Sequence, residues 1–138
     1  MTSLVVLDAA AFDVLGTPHD SGLRALLRRA AERGGRVSCA AVTLAEVCRG
    51  TARTRQAEVA LARCHGGQRI RVASTDERLA KLVGAILHHA GRGSDCIADA
   101  HVVAAAVETG GGVVLTGDPD DLASLAAPYP NITVQPLP

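Results

Sequence analysis

A chain of 138 residues has the length of one domain, spanning 1–138, and 48% hydrophobic content is ample for a single core. Lys plus Arg equals Asp plus Glu at 14 each, so no broad basic field is available for binding nucleic acid. Cys39, Cys48, Cys64 and Cys96 form no CxxC pair and no zinc-finger spacing, and no apolar run is long enough to cross a bilayer. A disulfide scaffold, a zinc module and a membrane-spanning protein are thereby excluded. Reduced thiols in a cytoplasmic protein without a signal peptide are the expectation.

Leu4 to Leu7 is a short unbroken apolar run, as in a strand buried on both faces, and Asp8 ends it. Ala9 to Leu15 reads as a short helix. A longer helix, capped by Asp20 or Ser21, runs to about Arg33 with Leu23, Leu26, Leu27 and Ala30 as its apolar stripe. Arg36 to Ala41 is a second strand. Thr43 and Glu46 then have the spacing of a capping box, which predicts a helix opening at Thr43 with Glu46 in its first turn. Arg53 to His65 is predicted as one helix stopped by Gly66-Gly67, and Ile70 to Ala73 as the third strand. Asp76-Glu77 opens a helix that ends by Gly91. A helix from about Asp95 to Thr109, a glycine turn, a strand over Val113–Thr116, a short helix over Asp120–Ala126 and a strand over Ile132–Val134 complete the chain. Strands alternating with helices predict an α/β fold, a three-layer sandwich around a parallel five-stranded sheet.

The acidic residues share one place in that pattern. Asp8 follows the first strand, Glu46 opens a helix after the second, Asp95 and Asp99 open the long apolar helix, and Asp118 and Asp121 follow the fourth strand. Helix starts and strand ends lie on the same edge of a parallel sheet, where α/β proteins bind ligands. Converged carboxylates raise one another's pKa unless a cation sits among them. Mg²⁺ prefers such oxygens, keeps several waters and activates water against a phosphodiester. Each residue also has a plain structural role available. Asp8 and Asp118 suit turns, Glu46 suits the capping box, and Asp95 and Asp121 suit helix caps. Asp99 has only apolar neighbours and the weakest structural excuse. His101, two residues on, reads as a packing residue.

The segments LVVLDAAAF, TLAEVCRG, DAHVVAAAVETGGGVVLTGDPDDL and ITVQPL together resemble a PIN domain of the VapC toxin type, over nearly the whole chain. That resemblance implies sheet order 3-2-1-4-5. It also implies a Mg²⁺- or Mn²⁺-dependent endoribonuclease acting on single-stranded or loop RNA, a homodimer and a neutralising antitoxin partner. By motif position it places the catalytic acids at Asp8, Glu46, Asp99 and Asp118. Asp8, Asp99 and Asp118 would hold the metal, with Asp95 and Asp121 as additional candidates, and Glu46 would orient water or act as general base. Arg49 and Arg53 are the candidates for holding the RNA backbone. The chain lacks the aromatic platforms on which single-stranded bases stack, so recognition would rest on shape and local Arg contacts.

The competing reading is a catalytically inactive PIN-like module that binds protein or RNA. A haloacid-dehalogenase-type phosphatase would need a second Asp two residues after Asp8, where Ala10 stands. A dinucleotide-binding domain would need a glycine-rich turn where the chain has Ala9-Ala10-Ala11.

Overall fold

The computed structural model describes residues 4–138. In chain order the elements are β1 (Leu4–Leu7), α1 (Ala9–Val14), α2 (Ser21–Glu32), β2 (Arg36–Ala40), α3 (Ala41–Val47) and α4 (Thr51–Ala62). They continue as β3 (Cys64–His65), β4 (Gln68–Arg69), β5 (Arg71–Ala73) and α5 (Glu77–Ala90). A 3-10 turn (Ser94–Cys96), α6 (Ile97–Glu108), β6 (Gly112–Thr116), α7 (Pro119–Ala126) and β7 (Ile132–Pro136) close the chain.

The unbroken apolar run of β1 takes the central position, with β2 and β6 on either side in parallel register: Leu7 lies opposite both Cys39 and Leu115. The full order is β5-β2-β1-β6-β7, every pair parallel. Setting the β3–β4 hairpin aside, this is the 3-2-1-4-5 order. Alternate residues of the strands face opposite layers. Val5, Leu7, Val37, Cys39 and Leu115 join the core beneath α1, α2 and α4, whereas Val6 and Val114 join the core beneath α5, α6 and α7. Leu23 and Leu27 of α2 are fully buried, each contributing about 1.5–3 kcal/mol. In α6 every residue from Ala100 to Ala106 is buried, because the helix lies between the sheet and its neighbours α5 and α7. Its alanines permit that close approach on several sides at once.

Three local expectations are corrected. The capping box does not form. β2 passes into α3 with no intervening loop, so Ala40 is the N-cap, Thr43 lies inside the helix and Glu46 falls in its final turn. Strand hydrogen bonding up to Ala40 fixes where the helix can begin, which overrides the local Thr43–Glu46 preference. The helix expected to reach His65 stops at Ala62. Gly66 and Gly67 both take positive φ, 61° and 85°, the condition for a tight hairpin turn, and close β3 against β4 rather than ending a helix. Asp95 belongs to the 3-10 turn, and α6 itself starts at Ile97 with Cys96 as N-cap. The tighter turn breaks the helical phase, so Asp95 and Asp99 are not successive residues on one helix face.

Candidate active site

Asp8 is the residue on which β1 ends and α1 begins. Its Oδ1 accepts from the Ala11 N–H at 2.8 Å, capping α1, and its Oδ2 accepts from the Gly117 N–H at 3.1 Å. Only 6% of Asp8 is exposed. Two backbone donors from different segments therefore hold one carboxylate in a single orientation. Gly117 makes this approach because it has no side chain: a Cβ there would lie 2.8 Å from the Ala10 Cβ.

Asp118 follows directly. Its N–H donates to Thr116 Oγ1 at 2.8 Å, and the Thr116 side chain is fully buried, so the turn after β6 is built around that hydroxyl. Asp118 is N-cap of α7, with Pro119 at the first helical position. Its carboxyl is raised above the ordinary range, chiefly by a hydrogen bond to the Asp121 carboxyl. Asp121 in turn is paired with Arg92 at 3.4 Å, and Arg92 also reaches Ser124 Oγ at 3.4 Å.

Asp99 stands in the first turn of α6 and is half-buried. Its pKa is pushed up to about 6, first by burial and then by the negative charges of Glu46, Asp8, Asp118 and Asp121. The charges that act on Asp99 come from α3 (Glu46), the end of β1 (Asp8) and the β6–α7 side of the sheet edge (Asp118 and Asp121). Glu46 is likewise raised, by burial first and then by Asp8 and Asp13, with Arg49 opposing. Among the described residues, no three His, Cys, Asp or Glu side chains are gathered at ligand distances. Electrostatically, though, Asp99 feels the charges of Glu46, Asp8, Asp118 and Asp121 together. Such a donor set fits a hard divalent cation that takes one or two carboxylates directly and meets the others through water.

The two arginines named from the sequence are both exposed on this side of the molecule. Arg49 donates through Nε to the Ala45 carbonyl at 3.0 Å, and Arg53 pairs with Asp13 at 2.8 Å. His101 is buried, with Nδ1 2.7 Å from the Ile97 carbonyl, in keeping with a packing role. The Cys39 thiol is buried and pushed up to about 12, so it is inert at neutral pH. Three residues with a bearing on the site escape a sequence reading. Arg92 had a signal: an arginine directly after the helix-ending Gly91, leading into an acidic helix start. Asp13 and Gly117 had none, because their partners lie 40 and 109 residues away. One further group stands out. The Thr43 hydroxyl on α3 is fully buried and has no hydrogen-bond partner, a state that costs about 1–3 kcal/mol.

One cavity, about 520 Å³, shares no residue with this cluster. It lies over the β2–β5 end of the sheet, between Arg36, Ser38 and Arg71 on the strands and Ala105 and Glu108 on α6.

A PIN domain model matches residues 5–128. The chain belongs to the PIN domain family. PIN domains are generally nucleases. Among solved structures, the chain is similar to VapBC2 from Rickettsia felis, crystallised bound to a DNA fragment from its promoter. The TM-score is 0.66 at 14% identity, over 98% of this chain and 99% of that one. It is also similar to FitAB bound to an IR36 DNA fragment, with TM-score 0.64 at 18% identity, over 96% of this chain and 94% of that one. These identities speak for the fold alone. A comparison with curated protein sequences gave no significant match. As for membranes, no helix among the described residues is long and apolar enough to cross one.

Proposed function

We propose that this PIN domain is a divalent-metal-dependent endoribonuclease acting on single-stranded or loop RNA, and the toxin of a toxin–antitoxin pair. One observation carries the reading: Asp99 is half-buried, and burial first, then the charges of Glu46, Asp8, Asp118 and Asp121, push its pKa up to about 6. A fold tolerates that much unneutralised acid in one place when a cation is to be bound there.

Asp8, Asp99 and Asp118 are the residues that would hold Mg²⁺ or Mn²⁺, with Asp121 behind Asp118; Asp95 stays outside. When bound, the cation would supply charge stabilisation to a phosphodiester and lower the pKa of a bound water. The chain's own residues do the rest. Asp8, pinned by the Ala11 and Gly117 N–H groups, is the fixed reference of the site. Glu46, raised by burial and by Asp8, accepts the proton of the attacking water on a carboxylate oxygen. Arg92 holds Asp121 and keeps the Asp118 side of the cluster in place. Arg49, beside Glu46, offers a phosphate contact, and Arg53 offers one once it leaves Asp13.

The antitoxin partner is supported by the neighbours, both solved as two-component assemblies on DNA. A homodimer and a cytoplasmic location complete the proposal. Purified protein incubated with total cellular RNA and Mn²⁺, beside EDTA and an Asp99→Asn control, tests it. Discrete products that need both the metal and Asp99 support the nuclease. Intact RNA, together with no Mn²⁺ binding by calorimetry, would leave a non-catalytic binding module.

A further inference from the structure

The sheet is not evenly covered on the α6 side. α6 packs on β1, β2, β6 and β7, and α5 and α7 pack on α6, whereas the edge strand β5 packs chiefly on β2. The recess left between β2, β5 and α6 is the cavity of about 520 Å³. Register decides which side chains face it. Val6 lies opposite Ser38, and Ser38 lies opposite Arg71. Residues level with one another in a sheet point to the same face, and Val6 belongs to the core beneath α6. Ser38 and Arg71 therefore point to the α6 side, as does Arg36, two residues before Ser38 on β2. All three line the cavity. With strands about 4.8 Å apart and a rise of about 3.3 Å per residue, the Cα atoms of Arg36 and Arg71 are about 8 Å apart. Two arginines at that spacing can close on one tetrahedral anion.

The polar groups of this wall have no protein partners. Arg36 and Arg71 are exposed, and among the described residues neither is in an ion pair. Ser38 is only 4% exposed, and among the described residues its hydroxyl makes no hydrogen bond, so it opens to the cavity alone. On the facing wall Glu108 of α6 is also unpaired, while Asp76 at the rim is already engaged by the Leu79 N–H at 2.8 Å. Guanidinium forks match phosphate oxygens bidentately, and an enclosed hydroxyl adds a donor between them. A carboxylate opposite accepts from hydroxyl groups on whatever carries the phosphate. The volume is that of a small-molecule site. An RNA strand is a poor occupant, because Glu108 and Asp76 repel a polyanion and no aromatic side chain lines the cavity for stacking.

We infer that this cavity binds a small phosphorylated polyol, its phosphate held by Arg36, Arg71 and Ser38 and its hydroxyls by Glu108. The site shares no residue with the acidic cluster and is independent of the metal-dependent reading.

The test is calorimetric titration of the full chain in EDTA with ribose 5-phosphate, inorganic phosphate and ribose in parallel. One molecule of ribose 5-phosphate should bind per chain, about tenfold more tightly than inorganic phosphate, and ribose alone should give no heat. Arg36→Gln and Arg71→Gln, both at exposed positions that leave the core untouched, should each weaken binding by about tenfold or more. Arg49→Gln, on the acidic side, should leave it unchanged. No binding by wild type overturns the inference, and so does equal affinity for inorganic phosphate. Loss of binding in Arg49→Gln with retention in Arg36→Gln and Arg71→Gln overturns it by placing the anion among the acids. Sedimentation showing self-association that Arg71→Gln abolishes, without ligand binding, overturns it by making this face a contact between copies. None of these outcomes bears on metal-dependent RNA cleavage.

Discussion

Gly117 donates its N–H to Asp8 over 3.1 Å, and this bond joins the end of β1 to the turn that follows β6. The two ends of the candidate site, Asp8 and Asp118, are held at fixed separation by it. Replacing Gly117 with Ala puts a methyl 2.8 Å from the Ala10 Cβ, and the turn must move outward. The expected cost in stability is about 1 kcal/mol for the lost hydrogen bond. The expected loss in cleavage is larger, about 10- to 100-fold, as for other groups that orient metal ligands. Thermal unfolding and RNA cleavage on the same preparation separate the two. Unchanged cleavage in Gly117→Ala would show that the Asp8–Asp118 separation is immaterial.

Asp99→Asn is expected to abolish cleavage and to stabilise the metal-free protein. Asp99 has a folded pKa of about 6 against an ordinary 3.8. The folded protein therefore keeps a proton that the unfolded chain has released, and stability falls as pH rises from about 4 through 6. Above that window the wild type carries the full penalty and the Asn variant does not. After discounting for solvent screening, the gain at neutral pH is about 1 kcal/mol. Melting temperatures taken from acid to neutral pH should diverge in favour of Asp99→Asn, and Mg²⁺ should close the gap by raising only the wild type. A variant less stable than wild type at neutral pH contradicts the repulsion argument.

Cleavage should rise with pH as Asp99 loses its proton, with a midpoint near 6 at low metal concentration. A cation favours the ionised carboxylates, so more Mg²⁺ should move that midpoint to lower pH. A midpoint indifferent to metal would separate the proton from the ion.

Arg92→Gln removes the positive partner of Asp121. The pair is 35% and 42% exposed at its two side chains, so stability should change by no more than about 1 kcal/mol. The acids left behind repel more strongly, and the pH midpoint for cleavage should move upward. An unshifted pH profile would mean that Arg92 only ties α7 to the α5–α6 loop.

The layering was readable because β1 is uniformly apolar and strands alternate with helices along the chain, whereas the strand order followed from the family resemblance of the four motifs. Asp8, Asp99 and Asp118 could be placed at one edge for the same reason: strand ends and helix starts are set by hydrophobic pattern, which is local. The failures are where distant contacts decide. Thr43 and Glu46 have a capping-box spacing, but the ladder between β2 and β5 runs to Ala40 and starts the helix early. Gly66-Gly67 looks like a helix stop in one dimension. In three it is a hairpin turn seated on α2, with Gly66 against Ala31. Arg92 and Asp13 acquire their meaning from partners that only the fold supplies.

The seamless joint between Ala40 and Ala41 has a consequence for how this chain can change length. An α-helix turns about 100° and advances about 1.5 Å per residue. One residue inserted at the joint would leave β2 in its ladder but turn Val47 of α3 out of the core. It would also swing Glu46 about a quarter-turn away from Asp8. Insertions in the loop between α3 and α4, or before α5, carry no such penalty because nothing after them depends on the phase of a preceding strand. At this joint the count of residues sets both the packing of Val47 and the direction of Glu46, so a single-codon insertion should disturb the core and the acidic cluster together.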